Sequence, residues 1–306
     1  MSIHLKNVRI KYINQKRQNI HVRGGKVKPP IPYLHGLIMG DVSIRFEEKI
    51  KKYRVLISTT HPSMEKVFIH AFQPYSLDGV IRKYPVKGGA TSYKWMLYTW
   101  LDEKLGSKLT IRRIEYLKEA YSSFPEFLWF LAGLFDSDGS IAITINRRKR
   151  LKYKPLVEYK FCIISTNRDL LEFIQNIITS KFNIYVGIRK NRLMRKKAIS
   201  PGKKQTWELA ISSSKGLKTI LDNLFPLIQH RERKLKAKLL LDILDGKIER
   251  NPDIVYKLRE QINNMIKLET KAYISEAEEA YRRMYKYLIY RDKVIREKVT
   301  KPRRIS

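Results

Sequence analysis

Residues 130–143 read FLAGLFDSDGSIAI: an apolar, helix-like stretch runs into two acids, Asp136 and Asp138, and then into an alternating pattern. A second stretch, YLHGLIMGDVSIRF at 33–46, repeats that outline with one acid, Asp41. Asp41 and Asp138 stand 138 − 41 = 97 residues apart, a spacing that suits a duplicated half-domain. In each copy two small residues lie four apart, Gly36 with Gly40 and Gly133 with Ser137, which puts them on one helix face. Glycine weakens a helix by about 1 kcal/mol relative to alanine. The pairs therefore call for a packing reason, and close approach of the two short helices, one from each half, supplies it.

With the helices parallel and side by side, Asp41 and Asp138 emerge together at their C-terminal ends. Each end carries roughly half a negative charge, and neighbouring carboxylates repel. A bound divalent cation reverses that balance, because carboxylates and substrate phosphate oxygens together hold Mg²⁺. Metal-assisted phosphodiester hydrolysis is the chemistry that follows. Taken singly, either aspartate reads more readily as a residue closing a helix-to-strand turn than as a metal ligand; the repeated context favours the metal.

The downstream patterns repeat too. Ser140 to Asn146 alternates, with Ile141, Ile143 and Ile145 on one face, the mark of a half-buried strand. Further strands are expected at 157–165, 183–191 and 204–212, with helices at 167–180 and from about 214. The first copy gives strands near 42–48, 53–59, 79–84 and 91–101, a helix near 62–74 and another from about 109. Both halves read αββαββα, an α+β fold. The expected divisions are a basic N-terminal extension at 1–29, a first half at 30–122, a second half at 123–246 and a basic helical extension at 247–306. That last segment reads either as a solvated helical cap or as a nucleic-acid contact.

Composition narrows the partner. Lys and Arg number 63 against 29 acids, for a formal charge of +34 and a pI near 10.1. Such self-repulsion is tolerated mainly when a polyanion binds, with nucleic acid ahead of a membrane surface. The basic residues run along the whole chain and do not gather in one juxtamembrane cluster. The single cysteine, Cys162, rules out an internal disulfide and a Cys-based zinc site, and its apolar run YKFCIIS marks it as an inert core thiol. The N-terminal stretch has no unbroken apolar core, so an intracellular location is expected. No GxGxxG, P-loop or HExxH pattern occurs. On the strand faces Ser140, Thr144, Asn146 and Arg148, and Ser43 and Arg45 in the first half, are expected to point outward. Arg189, Lys190, Asn191 and Arg192 on a later strand are expected to add phosphate or base contacts.

LAGLFDSDG at 131–139 resembles the nine-letter signature of the LAGLIDADG homing endonucleases, and LHGLIMGDV at 34–42 looks like its degenerate partner. The resemblance covers residues 30–240 or so. Two motifs in one chain resemble the monomeric, double-motif branch; the charge and the lack of intein splicing blocks resemble archaeal intron-encoded members. The resemblance implies a saddle of two αββαββα halves, with two short packed helices at its centre and curved antiparallel sheets along the DNA major groove. It implies cleavage of double-stranded DNA across the minor groove, and Mg²⁺ or Mn²⁺, two or three ions, at the paired acids. The implied compartment is the cytoplasm or nucleoid of an archaeon, or an organelle, with the chain's own intron RNA as a further partner.

Carried over by position, the metal-binding eighth letter falls on Asp41 and Asp138. The sixth, structural letter, which helps cap the helix and its turn, is Asp136 in the second motif and Met39 in the first. Val42 replaces the final glycine, which leaves the turn geometry of the first site open. The family's basic residue at the start of the helix after the sheet maps to Lys234, with Lys236 and Lys238 as rivals. The water-organising positions map to His61 and to Thr166 or Asn167. The leading reading is a site-specific, metal-dependent DNA endonuclease. The rivals are an RNA-binding maturase and a cleavage-dead DNA-binding regulator; retention of both acids argues against them, because binding alone needs no clustered carboxylates.

Overall fold

The computed structural model describes residues 18–20, 28–88, 92–146, 156–191 and 205–300. The elements of the first half are β1 (Gln18–Ile20), α1 (Ile31–Met39), β2 (Ser43–Glu47), β3 (Lys52–Thr59), α2 (Pro62–Phe72), β4 (Ile81–Gly88), β5 (Ser92–Leu101), α3 (Glu103–Leu109) and α4 (Ile114–Ala120). Those of the second are α5 (Phe124–Asp138), β6 (Gly139–Asn146), β7 (Leu156–Ser165), α6 (Arg168–Phe182), β8 (Gly187–Lys190), β9 (Trp207–Ile211), α7 (Ser214–Leu224) and α8 (Arg231–Leu244). One long helix, α9 (Pro252–Thr300), follows. The sheets are antiparallel, in the orders β1-β4-β5-β3-β2 and β6-β7-β9-β8.

The expected α+β repeat is present: each half has a motif helix, a strand pair, a helix and a second strand pair. Residues 18–20 of the N-terminal segment add a strand to the first sheet, antiparallel to β4. The single helix expected from about 109 is instead two, because Asp102 caps α3 through the Leu105 amide and the chain reopens at residues 111–113 before α4. The strand expected at 183–191 begins only at Gly187: α6 runs on to Phe182 and is closed by Asn183 in the left-handed region, φ 52°, a conformation asparagine tolerates.

Helices α1 and α5 form the seam. Pro32 to Ile38 are all buried, as are Phe130 to Ser137, so these stretches are enclosed on every side, as centrally placed helices are. The contact is reciprocal at backbone level. A Cβ on Gly36 would lie 2.1 Å from the Phe130 carbonyl oxygen, and one on Gly133 would lie 2.0 Å from that of Tyr33. Next to the motif ends, Gly139 lies under the Phe135 ring, which stacks on Phe161 at 4.7 Å. In the first half Ile38 stands where Phe135 does (135 − 97 = 38), and Val42 is accommodated fully buried, its amide donating to the Leu37 carbonyl. The turn that Val42 left open therefore closes without glycine.

Strand alternation divides each sheet into a helix-covered face and an open face. Ile141 and Ile143 are buried under helices, as their spacing predicts, while Ser140 and Thr144 are exposed. Helix α9 crosses both halves. Arg259 donates to the Ile143 carbonyl on the free edge of β6 at 2.8 Å, and Arg231 pairs with Glu269. Further along, Tyr273 bonds Glu65 and packs beside Trp95, and Tyr281 packs on Tyr93. Lys83, which the sequence reading did not single out, is buried there, pairs with Glu65 at 2.8 Å and sits over the Trp95 ring at 4.2 Å. The helical-cap reading of the C-terminal segment matches these contacts: α9 straps the halves together and shields a sheet edge.

Gly36→Ala and Gly133→Ala should each cost about 3 kcal/mol or prevent folding, since backbone must move to admit the methyl group. Gly187→Ala, whose added Cβ meets nothing nearer than 3.7 Å, should stay within about 1 kcal/mol. Urea midpoints check this; equal shifts in all three variants would contradict the seam.

Candidate functional site

The seam delivers Asp41 and Asp138 to one place. The Asp41 amide donates to the Ser137 hydroxyl at 2.5 Å, and a Cβ on Gly40 would lie 2.9 Å from an Asp138 carboxylate oxygen. The small residues of the motif thus serve two purposes: they let the helices touch, and they leave room for the acids. Neither carboxylate has an ion-pair partner among the described residues. Desolvation and the charge of Asp41 push Asp138 up to about 7, against the pull of Arg233. Asp41 is likewise raised by desolvation, with Arg233 and His61 pulling it down.

Asp136 has a different job from the one its place in the motif implied. It is fully buried and does not close its own helix turn. Its carboxylate accepts from the Tyr33 hydroxyl at 2.7 Å and from the Gln229 and His230 amides at 2.7 and 3.1 Å. It therefore satisfies amides at the N-terminal end of α8, and so fixes a helix 93 residues away in the chain. The first half replaces this device. Met39 offers only a weak thioether acceptor, and instead His35 bonds the Ile111 carbonyl at 2.8 Å and the Tyr121 hydroxyl at 2.6 Å, while Arg112 reaches the Ile38 carbonyl at 3.4 Å.

Anchoring α8 places Arg233, not Lys234, beside the acids. Arg233 donates through Nη2 to the Ser137 carbonyl and through Nε to the Gly139 carbonyl, both at 2.6 Å, so it clasps the turn that carries Asp138. Its Nη1 is buried without a partner among the described residues. Lys234 lies over the Phe225 ring, Lys236 pairs with Glu232 and Lys238 with Asp242. Successive helix residues point about 100° apart, so a run of basic residues does not disclose which one faces inward; the link from Asp136 decides it.

A cleft of 190 Å³ opens beside Asp41, lined also by Thr59, His61, Ser137, His230 and Arg233. His61 is where the water-organising role was expected; it precedes α2 and its Nδ1 lies 3.5 Å from the Thr270 hydroxyl of α9. Asn167 is committed elsewhere, since its side chain caps α6 through the Leu170 amide, and Thr166 is exposed beside it. His230 went unnoticed in the sequence. Burial and Arg233 push it down to about 2, so it is a neutral imidazole, with Nδ1 buried and unpartnered among the described residues.

The open sheet faces flank this centre. Ser43 and Arg45 share one with Arg54, Arg82, Tyr98 and Trp100, in register across four strands. Arg54 lies over Trp100 and Arg82 over Tyr98. In the second half, Ser140, Thr144 and Arg189 lie on the open face, but Lys190 alternates to the other side, over Trp207. Asn191 is buried, with its amide bonded to the Thr206 carbonyl. Arg148, Arg192 and the Asn146 side chain lie outside the described residues. Cys162 is buried, but on the open face beside Ser140 and not in the core; burial raises its thiol.

The described residues contain no cluster of three or more His, Cys, Asp or Glu side chains, and no helix long and apolar enough to cross a membrane. A metal at the seam would draw two carboxylates from the protein and the rest from water and phosphate, which is the donor set Mg²⁺ takes.

Residues 126–224 match the family described as LAGLIDADG-like domain. No curated protein matches the chain. Among solved structures, the I-SmaMI LAGLIDADG homing endonuclease bound to cleaved DNA aligns at a TM-score of 0.50 and 13% identity, over 79% of this chain and 98% of that one. The LAGLIDADG meganuclease I-AabMI bound to uncleaved DNA aligns at 0.48 and 14%, over 76% and 97%. The homing endonuclease I-CvuI in complex with its target aligns at 0.34 and 20%, over 52% and 94%. The chain has the fold of the two-domain LAGLIDADG endonuclease structures, and residues 126–224 match a LAGLIDADG-like domain.

Proposed function

We propose that this protein is a monomeric, site-specific DNA endonuclease that uses divalent metal to cut both strands of a duplex across its minor groove. The observation that carries the reading is the pairing of Asp41 and Asp138 at two apposed helix ends, beside Arg233 and between two sheets with basic open faces. A structural role gives no reason to hold two unpaired carboxylates where two helix dipoles already concentrate negative charge. A nuclease does: Mg²⁺ bound there would activate water and stabilise the departing oxygen of a phosphodiester.

The residues fit that use. Asp41 and Asp138 are the protein ligands. Arg233 fixes the Asp138 turn through two carbonyls and brings a positive charge to both acids. The cleft lined by His61 and His230 has room for water, and the neutral His230 Nδ1 faces no competing partner among the described residues. The sheet faces supply Arg45, Arg54, Arg82 and Arg189 for duplex contact. The DNA named with I-SmaMI and I-AabMI is consistent with this substrate.

The raised Asp138 carboxyl has a thermodynamic consequence. Its folded value of about 7 exceeds the unfolded value near 3.9, so between those limits the native state holds more protons and stability falls as pH rises. Without divalent ions, Asp138→Asn should therefore raise stability at pH 8 by about 1–2 kcal/mol, after allowance for solvent screening, and change little at pH 4. Thermal melts in chelator test this; a loss of stability at pH 8 would contradict the crowded-acid geometry.

Given Mg²⁺ and a plasmid library with randomised inserts, the wild-type protein should linearise members that share one sequence. Asp138→Asn should reduce that cleavage at least about 1,000-fold, equivalent to roughly 4 kcal/mol, and still retain those plasmids on a filter. Equal cleavage by the variant, or no sequence in common, would overturn the proposal.

A further inference from the structure

A buried acid stands among the basic side chains of the second sheet's open face, where Glu158 is a second, exposed one. Glu208 lies on the open face of β9, with its side chain only 8% exposed. Its carboxylate accepts from Arg189 Nε at 3.0 Å through one oxygen and from Lys160 through the other. Arg189 and Glu208 are direct cross-strand partners, so their backbones set the pairing. Burial alone would raise the carboxyl, but the hydrogen bonds from Lys160 and Arg189 outweigh it and hold it below its ordinary range.

This carboxylate lowers the positive charge where phosphates would lie, so sequence-independent affinity does not explain it. Its effect on Arg189 is geometric. The arginine is half exposed, with 56% of its side chain accessible, yet its Nε is held and its Nη atoms have no partner among the described residues. A free arginine surrenders about 2 kcal/mol of rotamer freedom when it docks; a side chain tethered at Nε has already given up much of that. Around it the face is low. A 920 Å³ hollow bordered by Ala142, Thr144, Lys160, Arg189 and Ser212, with Gly187 and Ala210 behind, leaves space for a base edge to approach. A guanidinium presenting two donors matches the O6 and N7 acceptors that guanine shows in the major groove.

We propose that Glu208 is a positioning residue that fixes Arg189 to read one guanine in the major groove of the target's second half-site. This rests on the reading above that the open sheet faces lie on DNA. Arg189 supplies the base contact, Glu208 sets its angle, and Lys160 completes the carboxylate and leaves the trio with one net positive charge.

The test is selection of bound duplexes from a randomised pool by wild type, Arg189→Lys and Glu208→Gln, each checked for folding by urea midpoint. Wild type should recover sites with an invariant guanine at one position. Arg189→Lys, which keeps the charge and loses the fork, should recover the same site with that position degenerate, a loss of about 10- to 100-fold in discrimination. Its affinity for random-sequence DNA at the same salt should stay within about twofold. Glu208→Gln should relax the same position. If Glu208→Gln recovers the wild-type sequence unchanged, the positioning role is overturned. If wild type recovers no common sequence, the DNA-reading proposal falls instead.

Discussion

Backbone-to-backbone contact between α1 and α5 governs the rest of the molecule. With Gly36 against the Phe130 carbonyl and Gly133 against that of Tyr33, the two helices come closer than any pair bearing side chains there could. That approach fixes the relative placement of the halves and brings both helix ends, with their partial negative charge and their aspartates, to one point. The electrostatic cost at Asp41 and Asp138 follows from the packing. It is the kind of local conflict that marks a functional site in an otherwise consistent fold.

The surroundings of that point are built from other parts of the chain. Asp136 accepts from Tyr33 and from the start of α8, and α8 returns Arg233 to the carbonyls of Ser137 and Gly139. The loop is closed: motif acid to helix, helix to arginine, arginine to motif turn. The first half has no such loop, since Met39 stands in place of Asp136 and His35 and Arg112 hold the chain by carbonyls. The two sides of the site are therefore chemically unequal, with Arg233 the cation that bears on both acids. Helix α9 reaches both halves and contacts the first beside His61, Glu65, Trp95 and Tyr93, so the C-terminal segment is part of the scaffold that keeps the seam aligned.

What the sequence disclosed was what local pattern encodes. Ile141 and Ile143 alternate and are buried; Asp41 and Asp138 repeat at a fixed spacing and meet. What it hid depends on distant partners. Nothing near Asp136 tells that it bonds amides at 229 and 230, and so nothing near Lys234 tells that Arg233 is the residue turned inward. On β5, Tyr, Trp, Met and Leu occupy both faces, so alternation could not separate buried Trp95 from Trp100 on the open face. Cys162 was recognisable as buried but not as lying on the open face, because its neighbours Phe161 and Ile163 make the whole run apolar.

The most direct measurement is anomalous diffraction from crystals soaked in Mn²⁺. Manganese density at the carboxylates of Asp41 and Asp138 is the expected result, because a bound cation offsets the charge of two ionised acids at two helix C-termini. Carboxylates that turn away from each other, with no manganese between them at saturating Mn²⁺, would contradict the metal-holding role of the seam.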